Sequence, residues 1–189
     1  RPQHLIISSV EHSAIEASAA FLETQGWQVT RLGVDRQGVV SPETLAAAIQ
    51  PHTVLVSIIS GQNEVGTLQP IGDLAAVARM HGVVFHTDAV QLAGRVPLDV
   101  EALGIDLLSL SSHKLYGPQG AGALYVRPGV KLAAVQRGGG QEQALRSGTQ
   151  GVATIAGFGI AAALAVEELG IERPRLESLR DRLRSQLEH

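Results

Sequence analysis

Short apolar runs alternate with segments of helical spacing along this chain. The apolar runs predict six strands, at residues 5–9, 27–32, 54–59, 83–87, 107–110 and 123–126. Helical spacing predicts helices at residues 13–24, 71–81, 152–169 and 172–187, and a further helix that begins at Ser41-Pro42. Strands that alternate with helices predict an α/β fold, a three-layer sandwich whose mostly parallel sheet is covered on both faces.

The composition changes only near residues 170–174, where a glycine and a proline interrupt the helical pattern. This change predicts a hinge between a core domain, residues 1–170, and an outgoing helix, residues 171–189. The chain begins at Arg1 without a methionine and stops inside a helical pattern. We therefore expect it to be a piece of a larger protein.

Composition excludes several classes of function. The 189 residues carry a net charge of −3, so no strong field attracts nucleic acid or an anionic membrane. The chain has no cysteine, which rules out a disulfide, a thiolate metal site or a cysteine nucleophile within it. No metal site is expected. No apolar run is expected to be long enough to cross a bilayer, and no signal peptide is evident, so a cytoplasmic location is expected.

Polar residues follow four of the predicted strands. Parallel sheets bind ligands at the carboxyl ends of their strands, so these residues are candidates for one site. They are His12 after the first strand, Asn63 after the third, Asp88 and Gln91 after the fourth, and Ser111, His113 and Lys114 at the end of the fifth. The chain contains a single asparagine and only two lysines, which makes Asn63 and Lys114 conspicuous there.

Each of these residues also has a structural interpretation. His12 and Asp88 are both suited to cap a following helix, and Asn63 lies in a glycine-containing turn. Lys114 is consistent with a solvated surface side chain, as is Lys131.

His86, two residues before Asp88, shares its face of the strand. It is predicted to be a packed histidine that supports the site.

An amine, a carboxylate, an imidazole and a carboxamide together suit pyridoxal phosphate. Its aldehyde needs a lysine, and an aspartate keeps its ring nitrogen protonated, because an opposite charge raises the pKa of that nitrogen. An imidazole can cover the ring, and hydroxyl and N–H donors can hold the phosphate.

Five motifs, in this order and at this spacing, resemble the cysteine desulfurases. These enzymes belong to the class V aminotransferase group of fold-type I pyridoxal phosphate enzymes. The motifs are Glu11-His12-Ser13-Ala14, Gln62 to Gly66, His86 to Gln91, Ser111 to Pro118 and Arg146-Ser147-Gly148-Thr149. Residues 138–142, Gly-Gly-Gly-Gln-Glu, also resemble the desulfurases that serve iron–sulfur scaffold proteins. The resemblance covers residues 4–188.

The resemblance implies a role for each candidate residue. Lys114 corresponds to the Schiff-base lysine, Asp88 to the partner of the pyridine nitrogen and His12 to the histidine that stacks on the ring and relays protons. Gln91 corresponds to the glutamine near the phenolic oxygen of the cofactor. Asn63 corresponds to the asparagine beside the substrate carboxylate and the phenolic side of the ring. Ser111 and His113 correspond to phosphate ligands, and Thr149 to a threonine that reaches the phosphate of the other subunit of a homodimer.

The chain also departs from the family pattern. Ser112 stands where the family usually has glycine. The family's early phosphate loop, its loop with the nucleophilic cysteine and its small domain are all missing from residues 1–189. The resemblance therefore implies the core of the large domain, which we expect to be inactive alone.

Three hypotheses remain open at this stage. The first is a cysteine desulfurase that converts L-cysteine to alanine and passes the sulfur to an acceptor or iron–sulfur scaffold protein. The second is a sister enzyme, such as a selenocysteine lyase, an aminotransferase or an epimerase. The third is a catalytically idle scaffold or a nucleotide-binding module, for which the glycine run 138–140 is weak evidence.

Overall fold

The computed structural model describes residues 3–188 and contains six strands and four α-helices. The strands are β1 (His4–Ser8), β2 (Gln28–Leu32), β3 (Thr53–Ser57), β4 (Val84–Asp88), β5 (Leu107–Ser111) and β6 (Gly122–Val126). The helices are α1 (Ser13–Thr24), α2 (Pro42–Ala48), α3 (Ile71–Met80) and α4 (Val152–Leu187). Two short 3₁₀ turns lie at Ser112–Leu115 and Glu142–Ala144. Residues Arg1, Pro2 and His189, where the sequence analysis placed the chain's ends, lie outside the described residues.

The six strands form one sheet in the order β2-β1-β3-β4-β5-β6. Strands β1 to β5 are all parallel to one another, and β6 pairs antiparallel with β5. From β1 the chain first crosses to β2 on one side and then to β3 on the other. The sheet therefore has a topological switch point between β1 and β3, where the connections leave in opposite directions.

Both faces of the sheet are covered, which confirms the predicted three-layer α/β fold. In β1, Ile6 packs with α2 and α3 residues such as Leu45 and Leu74 in the larger core. Its neighbours Leu5 and Ile7 point to the other face, where α1 covers them. This alternation is the period of two that a strand imposes on its side chains.

The prediction that the helical pattern is interrupted near residue 170 is wrong. α4 is one helix of 36 residues that runs through Gly170 and Pro174. Pro174 lacks the N–H that would bond to the carbonyl of Gly170, four residues earlier, and its ring crowds that carbonyl. The helix continues through it nevertheless. A domain boundary in this region remains a prediction.

α4 also corrects the expectation about apolar length. One 18-residue window in it has a mean hydropathy of 1.7, enough by length and composition alone to cross a membrane. Alanines between the larger apolar side chains keep this mean high without forming a continuous run of large residues. Only 11% of the window is buried within the described residues. Phe158 and Ala161 pack on Leu115 in a small separate core.

Candidate active site

The carboxyl edge of the sheet brings four of the predicted site residues into one row. His12, Asn63, Asp88 and Lys114 follow, or end, strands β1, β3, β4 and β5 in turn, and these four strands are adjacent in the sheet. Neighbouring strands lie about 5 Å apart, so the row from β1 to β5 spans about 14 Å. That is the scale of one small organic cofactor.

A cleft of about 430 Å³ opens at the switch point between β1 and β3. Its lining comes from two loops, residues 9–13 after β1 and residues 62–64 after β3. His12 and Asn63 both line this cleft, each from its own loop. Its volume lies within the usual range for small-molecule sites, and its position is the one that open α/β sheets use for ligands.

His12 begins α1. Its Nδ1 accepts a hydrogen bond of 3.2 Å from the Ala14 N–H, and its carbonyl accepts from Ile15 at 2.9 Å. The predicted capping role is therefore present. Because Nδ1 is an acceptor, the neutral ring carries its proton on Nε2, and that N–H stays available to a ligand.

Asn63 lies in an exposed turn, but another residue stabilises that turn. Gln62 Oε1 accepts from the N–H groups of Glu64 at 2.6 Å and Val65 at 2.8 Å. Within residues 3–188 the Asn63 amide makes no hydrogen bond. The turn does not need the Asn63 side chain, which leaves it available for other contacts.

Asp88 is buried at the end of β4, with 8% of its surface exposed. Its Oδ1 accepts from the Val90 N–H at 2.9 Å, while Ser60 binds its backbone carbonyl. In the described part of the chain Asp88 forms no salt bridge and Oδ2 has no hydrogen-bond partner. A buried carboxylate with one oxygen held and one free is suited to a cationic N–H donor.

Lys114 lies in the 3₁₀ turn that follows β5, half-buried beside Leu115. On either side of it, Ser111 Oγ and His113 Nδ1 are 2.9 Å apart. Lys114 lines a cavity of about 170 Å³ against α4 rather than the cleft that contains His12. The edge of the sheet thus has a cleft near β1 and a cavity near β5, with Asp88 on the strand between them.

Two predicted residues lie farther from this row. Gln91 is half-buried three residues beyond Asp88. Thr149 is exposed in the loop before α4, and that loop is anchored by buried Ser147, whose Oγ donates to the Gly139 carbonyl at 2.6 Å. The structure does not bring Thr149 into the row, and its predicted contact with another subunit stays a prediction.

His86 has the environment of a packed histidine. Its Nδ1 lies 2.7 Å from Ser57 Oγ and its Nε2 lies 2.9 Å from Ser109 Oγ, so it links three strands. Burial lowers the pKa of His86 to about 4, although the charge of Asp88 opposes this shift. The ring is neutral near pH 7.

Glu11 is a residue that the sequence analysis noted but did not select. Its Oε1 accepts from Ser8 Oγ at 2.5 Å and from the Ile59 N–H at 2.8 Å. Burial raises the pKa of Glu11 to about 7, and the charge of Asp88 adds to the rise. Its position just after a strand was the available signal, but only the fold places it beside β3.

Comparison with known proteins gives a consistent set of relatives. The model of the aminotransferase class-V family matches residues 1–189. Cysteine desulfurase IscS of Dictyoglomus turgidum is 48% identical over 179 residues, which are 95% of this chain and 45% of that protein. The IscS of Methanosarcina thermophila is 49% identical over 181 residues, with coverage of 96% and 45%.

Solved structures agree with these relatives. A NifS-like protein superposes with a TM-score of 0.96 at 40% identity, over 99% of this chain and 52% of that one. The structure of SspA in complex with cysteine gives a TM-score of 0.84 at 44% identity, with coverage of 86% and 47%. The chain spans about half the length of the proteins it matches.

Proposed function

Because this chain belongs to the class-V aminotransferase family, we propose that it forms part of a pyridoxal phosphate-dependent cysteine desulfurase. The observation that carries the proposal is the row His12, Asn63, Asp88 and Lys114 along adjacent strand ends at a ligand-binding edge. The IscS relatives and the cysteine-bound SspA support cysteine as the substrate.

The donor set fits pyridoxal phosphate. The free Oδ2 of buried Asp88 is suited to a protonated ring nitrogen, and the amine of Lys114 is suited to an aldehyde. Ser111 and His113 are near enough to each other to bind one phosphate group together. When bound, the cofactor supplies an electron sink for charge that develops on the substrate.

Asp88 and Lys114 would make the two main contacts with the cofactor, at its ring nitrogen and at its aldehyde. Asp88 holds a proton at the ring nitrogen, because a buried carboxylate favours the charged form of a neighbouring base. Lys114 would hold the cofactor through Nζ, the amine that the aldehyde needs, until the amino group of L-cysteine takes its place.

The other edge residues would position the reactants. His12 offers its Nε2–H to the ring face or to the substrate, since Nδ1 is held by the helix cap. Asn63 and Gln91 orient the substrate carboxylate and the phenolic oxygen. We also propose a homodimer, in which exposed Thr149 would contact the phosphate of the second copy. The proposed location is the cytoplasm.

Sulfur removal breaks the Cβ–S bond of cysteine. A thiolate attacks the sulfur, forms a persulfide, and leaves alanine after a proton reaches Cβ. Residues 1–189 include no cysteine, so the thiolate belongs to another part of the protein. The persulfide then passes its sulfur to an acceptor or iron–sulfur scaffold protein.

The test is an assay of the whole protein with L-cysteine and pyridoxal phosphate, with alanine and sulfide both measured. We expect equal amounts of the two products under reducing conditions and loss of both in Lys114→Ala. Lys131→Ala is the matched control, because Lys131 is exposed and is the other lysine of this chain. Release of pyruvate or a new amino acid instead of alanine would point to a sister enzyme and contradict the proposal.

A further inference from the structure

The carboxyl group of Glu11 bridges the two strands that flank the switch point. The paired residues of β1 and β3 end with Ile7 and Ser57. Two residues further along, the Ile59 N–H donates to Glu11 Oε1 at 2.8 Å instead of to a backbone carbonyl. The side chain therefore ties β3 to the end of β1 where the two strands separate.

The same carboxyl group shapes the loop that leads to His12. Ser8 Oγ accepts from the Val10 N–H at 3.3 Å and donates to Glu11 Oε1 at 2.5 Å. This chain of hydrogen bonds fixes residues 8–11, and the next residue, His12, begins α1. A change at Glu11 is thus transmitted directly to the backbone that carries the His12 ring.

The two oxygens of Glu11 differ. Oε1 accepts both hydrogen bonds, whereas Oε2 is buried with no hydrogen-bond partner among residues 3–188. Burial raises the pKa of Glu11 to about 7, so the carboxyl group is neutral below that pH.

We propose that Glu11 is a positioning residue of this site, which fixes the width of the cleft and the placement of His12 by tying β1 to β3. The inference rests on the proposed function, because it concerns how a bound pyridoxal phosphate ring meets His12. Glu11 acts through the backbone and through His12.

The test uses the whole protein and two measurements. The first is amide hydrogen exchange at Ile59 without cofactor, and the second is the dissociation constant of pyridoxal phosphate from an absorbance titration. The variants are Glu11→Ala and Glu11→Gln, since the amide oxygen of glutamine can still accept from Ile59 and Ser8. Glu101→Ala, which removes an exposed carboxylate, is the matched control.

For Glu11→Ala we expect at least tenfold faster exchange at Ile59 and at least tenfold weaker cofactor binding. Glu11→Gln should restore both to within about threefold of the wild type, and Glu101→Ala should change neither. If Glu11→Ala does not fold, Glu11→Asp replaces it, because its shorter side chain cannot span the same gap.

Unchanged exchange at Ile59 would contradict the bridge, and faster exchange with unchanged cofactor affinity would contradict the positioning role. A wild-type protein that binds no pyridoxal phosphate would overturn the proposed function instead. In that case the exchange measurement still decides whether Glu11 ties the strands together.

Discussion

Polar groups inside the sheet and polar groups at its carboxyl edge have different surroundings. Inside, His4 and His86 each contact hydroxyl groups of two neighbouring strands, so both ring nitrogens have partners. At the edge, Glu11 and Asp88 each have one oxygen held by the backbone and one oxygen without a partner in the described structure. Buried polar groups are normally satisfied, so the open oxygen of Asp88 at this edge indicates a ligand site, whereas Glu11 is held for a structural reason.

Removal of an edge carboxylate should have the largest effect, and it should affect activity. We expect Asp88→Ala to lower kcat by at least about 100-fold in the whole protein, because an opposite charge is worth about 1–3 pKa units at about 1.4 kcal/mol each. Thermal unfolding should change little. Asp73→Ala, at an exposed position on α3, is the control. Near-normal turnover in Asp88→Ala would count against the cofactor assignment.

Removal of an interior histidine should instead affect stability. His86→Ala leaves Ser57 and Ser109 without their partner and opens a cavity, so we expect the free energy of unfolding to fall by about 3 kcal/mol. His81→Ala, an exposed histidine at the end of α3, should cost less than about 1 kcal/mol. Denaturant titration measures both, and equal effects would contradict the structural role of His86 inside the sheet.

The two regions also have opposite pH dependence. The pKa of His86 is lowered from 6.5 to about 4, so the unfolded state binds more protons and stability is lost as pH falls from 6.5 towards 4. His4, whose pKa burial also lowers, acts in the same direction. The pKa of Glu11 is raised from 4.5 to about 7, so the folded state binds more protons and stability is lost as pH rises through that range.

In the wild type these opposite slopes largely cancel between about pH 4.5 and 6.5. Glu11→Gln removes the slope that comes from Glu11 and leaves the slope that comes from His86. We therefore expect the free energy of unfolding of this variant to rise by about 3 kcal/mol from pH 4 to 6.5. Denaturant titration at several pH values checks this. A flat profile in Glu11→Gln, equal to that of the wild type, would show that the two groups do not compensate.

The smallest predicted effect concerns a polar group at the edge that no ligand can reach. Ser112 is fully buried, and its Oγ has no hydrogen-bond partner in residues 3–188. Gly117 packs against this oxygen so closely that an added Cβ would lie 2.3 Å from it. We expect Ser112→Ala to raise the free energy of unfolding by about 1 kcal/mol. Ser57→Ala, which removes the hydrogen bond to His86, should lower the free energy of unfolding by about as much. A loss in Ser112→Ala would indicate a hidden partner.

Most of the fold could be predicted from local pattern. Each predicted strand lies within about two residues of an observed one, and Ser41 caps α2 with Pro42 at its first position. The antiparallel direction of β6 could not be predicted, because strand direction depends on pairing between distant segments. The continuity of α4 was missed because Gly170 and Pro174 each disfavour helix locally, whereas the observed helix continues through both.

The candidate site was predicted in its location but not in its supports. Polar residues after parallel strands predicted the row from His12 to Lys114, since strand ends meet at one edge. Glu11 was not selected, because its partner Ile59 is 48 residues away in sequence. Gln62 stabilises the turn in place of Asn63, and this role likewise depends on a turn geometry that the residue types alone do not specify.

The most direct test of the proposed site is to locate the lysine that binds the cofactor. The whole protein is incubated with pyridoxal phosphate, reduced with borohydride and digested, and the labelled peptide is identified by mass spectrometry. This chain offers two lysines, Lys114 at the carboxyl edge and Lys131 on the surface, and we expect the label on Lys114 at one equivalent. A label on Lys131, or no label on either residue, would contradict the assignment of the carboxyl edge as the cofactor site.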